Sequence, residues 1–128
     1  PYHQAWRAQW NSFSDYLDDK QANNRQTRML SGTLAYKHFA ADLPAALARA
    51  KENLQLMQAV GFSEKFGASI KKISTDLGWK QHSSLRENVN NHRLEARYLS
   101  LRYRKKLERV CYYDQQLYNY AREKFGNA

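Results

Sequence analysis

The sequence predicts a mainly α-helical chain. Two prolines and five glycines are all that interrupt its 128 residues, and three of the glycines fall where a helix is expected to end. Valine and isoleucine are scarce and never alternate with polar residues over five positions, so we expect no β-sheet. Hydrophobic residues make up 42% and charged residues 26% of the chain, which is typical of a folded globular protein. The length suits one domain, with no internal boundary in 1–128.

The first helix is expected over 13–19. Ser12 is a good N-cap residue, and Asp15 follows three positions later as in a capping box. The ring of Trp10 is placed to act as a hydrophobic staple. Residues 18–22 then indicate a loop.

A second, shorter helix is expected over 25–30. Asn23 or Asn24 is suited to cap its start, and Ser31-Gly32 would end it.

The third helix has the strongest start signal. Asp42 is a good cap, and the proline of Leu43-Pro44 loses no needed N–H at the first helical positions. We expect this helix to end at Gly61. Its apolar positions are spaced by three or four residues: Leu43, Leu47, Ala50, Leu54 and Met57.

The fourth helix is expected to open at Ser63-Glu64 and to end at Gly78. Its apolar positions are Phe66, Ile70, Ile73 and Leu77.

The last third of the chain divides into an irregular stretch and a long helical region. Residues 79–91 show no clean period, whereas a helical pattern extends from about His92 to Phe125 with a break near Arg104. One side of that region carries Leu94, Tyr98, Leu101, Leu107, Val110, Cys111, Asp114, Leu117, Tyr118 and Ala121.

Several classes of binding site are excluded because the sequence lacks the residue spacing that they require. Neither G-x-G-x-x-G nor G-x-x-x-x-G-K-S/T occurs, and no lysine follows the pair Gly61 and Gly67 at the required place. The four histidines lack the spacing of a helical metal site, so no metal is expected. No apolar run approaches the roughly 20 residues that span a bilayer.

Two residues on the inward side of the last helix each suggest a specific role. Cys111 is expected to act as a small hydrophobe rather than as a reactive thiolate. Asp114 is a carboxylate on an apolar face, so it needs hydrogen-bond donors. We favour a structural bond to a loop or to a helix N-terminus over a catalytic role.

The charge balance favours anionic partners. Twenty-one lysines and arginines against twelve acidic residues give a net charge of +9. The densest group is Arg97, Arg102, Arg104, Lys105, Lys106 and Arg109. Such a group is more often a solvated face than a binding site, although it would also guide a polyanionic acceptor.

Three blocks of sequence resemble a known family. They are Asn23-Asn24-Arg25-Gln26-Thr27-Arg28-Met29-Leu30, then Ala50-Lys51-Glu52-Asn53-Leu54 leading to Val60-Gly61-Phe62-Ser63-Glu64, and Tyr113-Asp114-Gln115-Gln116-Leu117-Tyr118-Asn119-Tyr120-Ala121. In this order they are similar to the C-terminal half of carbohydrate sulfotransferases, with the closest likeness to heparan sulfate 6-O-sulfotransferases.

The resemblance implies a P-loop α/β fold whose sheet, phosphosulfate loop and catalytic histidine lie outside this sequence. The enzyme would transfer a sulfuryl group from 3′-phosphoadenylyl sulfate to a hydroxyl of an anionic or neutral glycan. The partner of this chain would be the remainder of that domain, and the chain alone would be inactive. No catalytic residue is expected within it.

The resemblance also implies a loop that returns to the nucleotide. The positions that align with it are Arg93, Asn88, Asn90 and His92, with Asn91 suited to cap the following helix. A capped surface loop is the alternative interpretation. Residues 78–81 and 94–103 differ from the 6-O pattern, which leaves the acceptor open.

A rival function comes from a different class. The chain would then be a noncatalytic basic helical module that binds nucleic acid or acidic glycans. Such a module predicts a self-contained bundle, whereas part of a larger domain predicts an exposed apolar surface. Under the sulfotransferase hypothesis, nucleic acid is not the expected partner.

Overall fold

Helices dominate the structure. The computed structural model describes residues 12–19, 23–33, 42–80 and 98–126. No strand occurs in these ranges, so the predicted helical class is confirmed for them. A short 3-10 turn, Ser63–Lys65, precedes the fourth helix. The α-helices are α1 (Phe13–Asp18), α2 (Arg25–Leu30), α3 (Leu43–Gln55), α4 (Phe66–Asp76), α5 (Leu101–Val110) and α6 (Tyr112–Phe125).

The predicted N-caps of α1 and α3 are confirmed. The hydroxyl of Ser12 accepts the N–H of Asp15 at 3.1 Å, and the carboxylate of Asp42 accepts the N–H of Ala45 at 3.2 Å. Both bonds satisfy backbone donors that the first turn of a helix leaves unpaired. Trp10 lies outside the described residues.

Helix α3 ends earlier than predicted. It stops at Gln55 rather than at Gly61. The chain turns there because Val60 and Phe62 pack against the core, which a straight helix would not allow. Ser69 fixes this connection, since its hydroxyl accepts the N–H of Phe62 at 2.8 Å and donates to the Phe62 carbonyl at 3.0 Å.

Helix α4 ends where the sequence predicts. Gly78 takes a positive φ of 66°, and the N–H of Trp79 donates to the carbonyl of Ser74 at 2.8 Å. The predicted apolar stripe of this helix is only partly covered. Ile70 and Ile73 are half-buried, while Phe66 is exposed.

The last helical region breaks elsewhere than predicted, and its predicted start near His92 lies outside the described residues. Among the described residues its helix starts at Leu101, where the hydroxyl of Ser100 accepts the N–H of Tyr103. Residues 81–97 lie outside the described ranges. The break falls at Cys111 instead of near Arg104, and Asn24 of the first block contacts the backbone at this point.

The core lies among α2, α3 and α6. Leu47, Ala50 and Leu54 of α3 pack against Leu117 and Ala121 of α6. The remaining side chains at its edge are half-buried: Leu30, Val60, Phe62, Tyr113, Tyr120 and Phe125.

Helix α1 packs separately on α5. The rings of Phe13 and Tyr103 lie 5.7 Å apart between centroids, and Leu17 is buried. None of the described helices is both long and apolar enough to cross a bilayer.

Candidate functional site

Asn24 occupies the point where the last helical region breaks. It is buried, has a left-handed backbone with φ of 48°, and donates its N–H to the carbonyl of Val110 at 3.0 Å. Its side-chain oxygen accepts the N–H groups of Tyr113 at 2.7 Å and Asp114 at 3.2 Å. An uninterrupted α-helix would join the Asp114 N–H to the Val110 carbonyl. Asn24 takes both groups, so the helix divides into α5 and α6.

The Asp114 side chain in turn caps the N-terminus of α2. Its carboxylate accepts the N–H of Gln26 at 3.2 Å, and both the N–H and the hydroxyl of Thr27 at 2.7 Å. A carboxylate at this position accepts hydrogen bonds from the free N–H groups of the first turn. Its negative charge is also attracted to the positive end of the helix dipole. The predicted structural bond to a helix N-terminus is confirmed.

The bonds accepted by Asn24 and those accepted by Asp114 together form a reciprocal cap. Asn24 occupies the N-cap position of α2, which is one of the two predicted choices, but its side chain makes no capping bond to α2 and caps α6 instead. The cap of α2 comes instead from Asp114, about ninety positions further along the chain. Local spacing carries no signal for such an exchange.

Arg28 is a buried cation that the sequence interpretation missed. It is 4% exposed, and its guanidinium donates to the carbonyl of Asn23 at 3.3 Å. Burial is the main cause that lowers the pKa of Arg28, with the charge of Arg25 adding to it and Asp114 opposing it. Arg28 therefore belongs to the polar network around the reciprocal cap. Its one sequence signal is that it lies within the first of the three resembling blocks, residues 23–30.

Cys111 sits at the break between the last two helices. Burial raises the pKa of its thiol, and the negative charge of Asp114 raises it further. The thiolate is therefore disfavoured, in agreement with the predicted role as a small hydrophobe.

A basic cleft separates α1 from α5. It has a volume of about 540 Å³. From α1 it is lined by Ser14 and Asp18. From α5 it is lined by Arg102, Tyr103, Lys105, Lys106 and Arg109.

The structure divides the predicted basic group by role. Lys106 is tied down, since its Nζ lies 2.7 Å from the Asp18 carboxylate and 3.2 Å from the Ser14 hydroxyl. The hydrogen bond from Lys106 is the main cause that lowers the pKa of Asp18. Arg104 donates its Nε–H to the Leu99 carbonyl. Arg102, Lys105 and Arg109 remain exposed at the cleft, and Arg97 lies outside the described residues.

The predicted nucleotide-contacting residues fall outside the described ranges. Arg93, Asn88, Asn90 and His92 all belong to 81–97, so their role stays a prediction. Within the described ranges no three histidine, cysteine or acidic side chains are grouped so as to hold a metal ion.

Comparison with protein-family models, with curated proteins and with solved structures gives no match to this chain.

Proposed function

We propose that this chain is the C-terminal helical part of a carbohydrate-type sulfotransferase. The complete enzyme transfers a sulfuryl group from 3′-phosphoadenylyl sulfate to a carbohydrate hydroxyl. The observation that carries the proposal is the convergence of the three resembling blocks. They are far apart along the sequence, yet they meet in one core.

The contacts between the blocks are specific. Asn24 of the first block bonds to the backbone of the third, and Asp114 of the third bonds back to the first. Asn53 of the second block donates its side-chain N–H to the Leu30 carbonyl of the first at 2.7 Å. Apolar contacts join the second and third blocks, where Leu54 packs with Leu117. Residues that specify contacts between helices are those that a shared fold requires, which supports a family relationship.

The exposed apolar side chains support the same proposal. Leu56 is 84%, Trp79 is 64% and Phe66 is 54% exposed. Helices that cover a sheet in a complete domain carry apolar side chains that become exposed when the sheet is missing. We therefore propose that the partner of this chain is the remainder of the sulfotransferase domain, which supplies the phosphosulfate loop.

The proposed division of labour follows from what each part contains. Transfer is an in-line displacement in which a histidine outside this sequence removes the acceptor proton. Positive groups stabilise the charge that develops on the sulfate and on the leaving phosphate. This chain contributes scaffold helices, acceptor contacts and the closing loop with Arg93, Asn88, Asn90 and His92.

Transfer by the complete protein tests this function. With radiolabelled donor, we expect label to enter a glycan hydroxyl. Arg93→Ala should weaken donor binding by about 1.5 to 3 kcal/mol, which is typical of a hydrogen bond to a charged group. Arg49→Ala is the matched control because Arg49 is exposed on α3, so donor affinity should not change.

The possible outcomes separate the two parts of the proposal. Transfer with unchanged donor affinity in Arg93→Ala would remove the site assignment and keep the reaction. Failure of the complete protein to transfer label to any glycan would contradict the function. Binding of nucleic acid without transfer would favour the noncatalytic basic module.

A further inference from the structure

We propose that the basic cleft between α1 and α5 is an exosite for an acidic polysaccharide, which holds the chain by its anionic groups away from the reacting hydroxyl. The choice of a carbohydrate rests on the proposed function. The existence and position of the site rest on the cleft itself.

The free cations of the cleft lie along one side of α5. Arg102, Lys105 and Arg109 follow the spacing i, i+3 and i+7, which places them on one helical face. At a rise of 1.5 Å per residue they extend over roughly 10 Å. None of the three forms an ion pair with a described residue, so all three can pair with a ligand. A linear row of this length suits a ligand that carries repeated negative charges.

The acidic side chain in the cleft does not repel such a ligand. Asp18 is paired with Lys106 at 2.7 Å, and the Lys106 side chain is only 16% exposed. The ion pair joins α1 to α5 and offsets the negative charge of Asp18. Lys106 is therefore a positioning residue, whereas Arg102, Lys105 and Arg109 are the groups that contact the ligand.

The lining favours a polysaccharide over a single-stranded nucleic acid. Proteins that bind single strands supply aromatic rings on which bases stack. Among the described residues that line the cleft, Tyr103 is the aromatic one, and its ring already packs on Phe13. The described lining of the cleft therefore offers positive side chains but no free aromatic ring. Such a lining suits a ligand that is recognised by its sulfate or carboxylate groups.

Binding without any sulfuryl donor tests the exosite. The 128-residue chain is captured on a sensor at low density and titrated with a heparin-type hexasaccharide. Arg102→Gln with Arg109→Gln should weaken binding by roughly 1.4- to fivefold for each cation, since exposed ion pairs are worth about 0.2 to 1 kcal/mol. The matched control is Arg49→Gln with Arg122→Gln, which removes the same charge from exposed positions outside the cleft. It should leave the affinity nearly unchanged.

Three results would overturn the exosite. The control could weaken binding as much as the cleft variant, which would reduce the effect to net charge. A single-stranded DNA of equal charge could bind at least as tightly through the same arginines. Affinity could also be independent of salt, whereas exposed ion pairs are screened by salt. Circular dichroism checks that each variant is folded, and Lys105→Gln provides a milder second variant of the cleft.

The exosite and the proposed function fail separately. Cleft-dependent binding by a protein that transfers no label would keep the exosite and contradict the sulfotransferase. Transfer that is accompanied by hexasaccharide binding insensitive to the cleft arginines would contradict the exosite alone.

Discussion

Asn24 and Asp114 each cap the helix to which the other belongs. The side chain of Asn24 satisfies two N–H groups at the start of α6, while Asp114 satisfies two N–H groups and a hydroxyl at the start of α2. Thr27, one of the residues bound by Asp114, is fully buried. Loss of either partner leaves donors without an acceptor in a place that water reaches poorly, which is costly.

Removal of the Asp114 carboxylate should therefore destabilise the fold strongly. Asp114→Ala is expected to lower the free energy of unfolding by about 2 kcal/mol, because a helix cap is lost and the Thr27 hydroxyl is left unpaired. Urea denaturation at low protein concentration measures this change. Asp76→Ala is the control, since Asp76 forms a surface pair with Lys72 and should cost less than about 1 kcal/mol. Equal losses in the two variants would contradict the structural role of Asp114.

The sequence predicts part of this residue-level arrangement. The helical period places Asp114 on an apolar face, and a carboxylate there needs donors, so its structural role is predictable. The identity of its partner is not, because the partner lies about ninety residues away and reaches it through the tertiary fold. Asn24 is ambiguous for the same reason. A local pattern shows that it is a cap, and the fold decides which helix it caps.

At the scale of elements, helix boundaries set by local backbone bonds are predicted better than boundaries set by tertiary contacts. Ser12, Asp42 and Gly78 act through bonds to neighbours within a few positions, and the structure agrees with all three. The end of α3 at Gln55 depends on how Val60 and Phe62 reach the core. The break at Cys111 depends on Asn24. Both are decided by contacts that no local period contains.

The packing of α1 on α5 should depend on the ion pair between Lys106 and Asp18. Lys106→Met is expected to loosen α1 on α5, since it removes the bonds to Asp18 and Ser14 and leaves the burial of Leu17 and the ring contact of Phe13 with Tyr103. Methyl resonances of Leu17 should shift toward those of an unfolded segment, while the core resonances stay in place. Lys105→Met is the control because Lys105 is exposed. A Leu17 spectrum unchanged by Lys106→Met would contradict this account.

Acid should act on the same contact. The pKa of Asp18 is lower in the folded chain than in the unfolded one, so its pairing contributes stability above the ordinary aspartate pKa of 3.8. That contribution is lost as the pH falls through the lowered value. The Leu17 resonances should therefore stay constant from neutral pH down to the ordinary aspartate range and shift below it. A shift that begins near neutral pH would contradict the role of Asp18.

At the scale of the whole molecule, the described residues form a small core and leave several large apolar side chains exposed. The core joins α2, α3 and α6, and the three resembling blocks meet in it. Leu56, Phe66 and Trp79 lie outside it, open to solvent. A self-contained basic module would cover such side chains, whereas the helical part of a larger α/β domain would present them to the rest of that domain.

Sedimentation velocity of the 128-residue chain tests this central claim most directly. If these helices normally cover a surface that the remainder of a sulfotransferase domain supplies, the isolated chain should self-associate, and its sedimentation coefficient should rise with protein concentration. A single monomeric species across a wide concentration range would contradict the account, because it would show that the helices need no further partner.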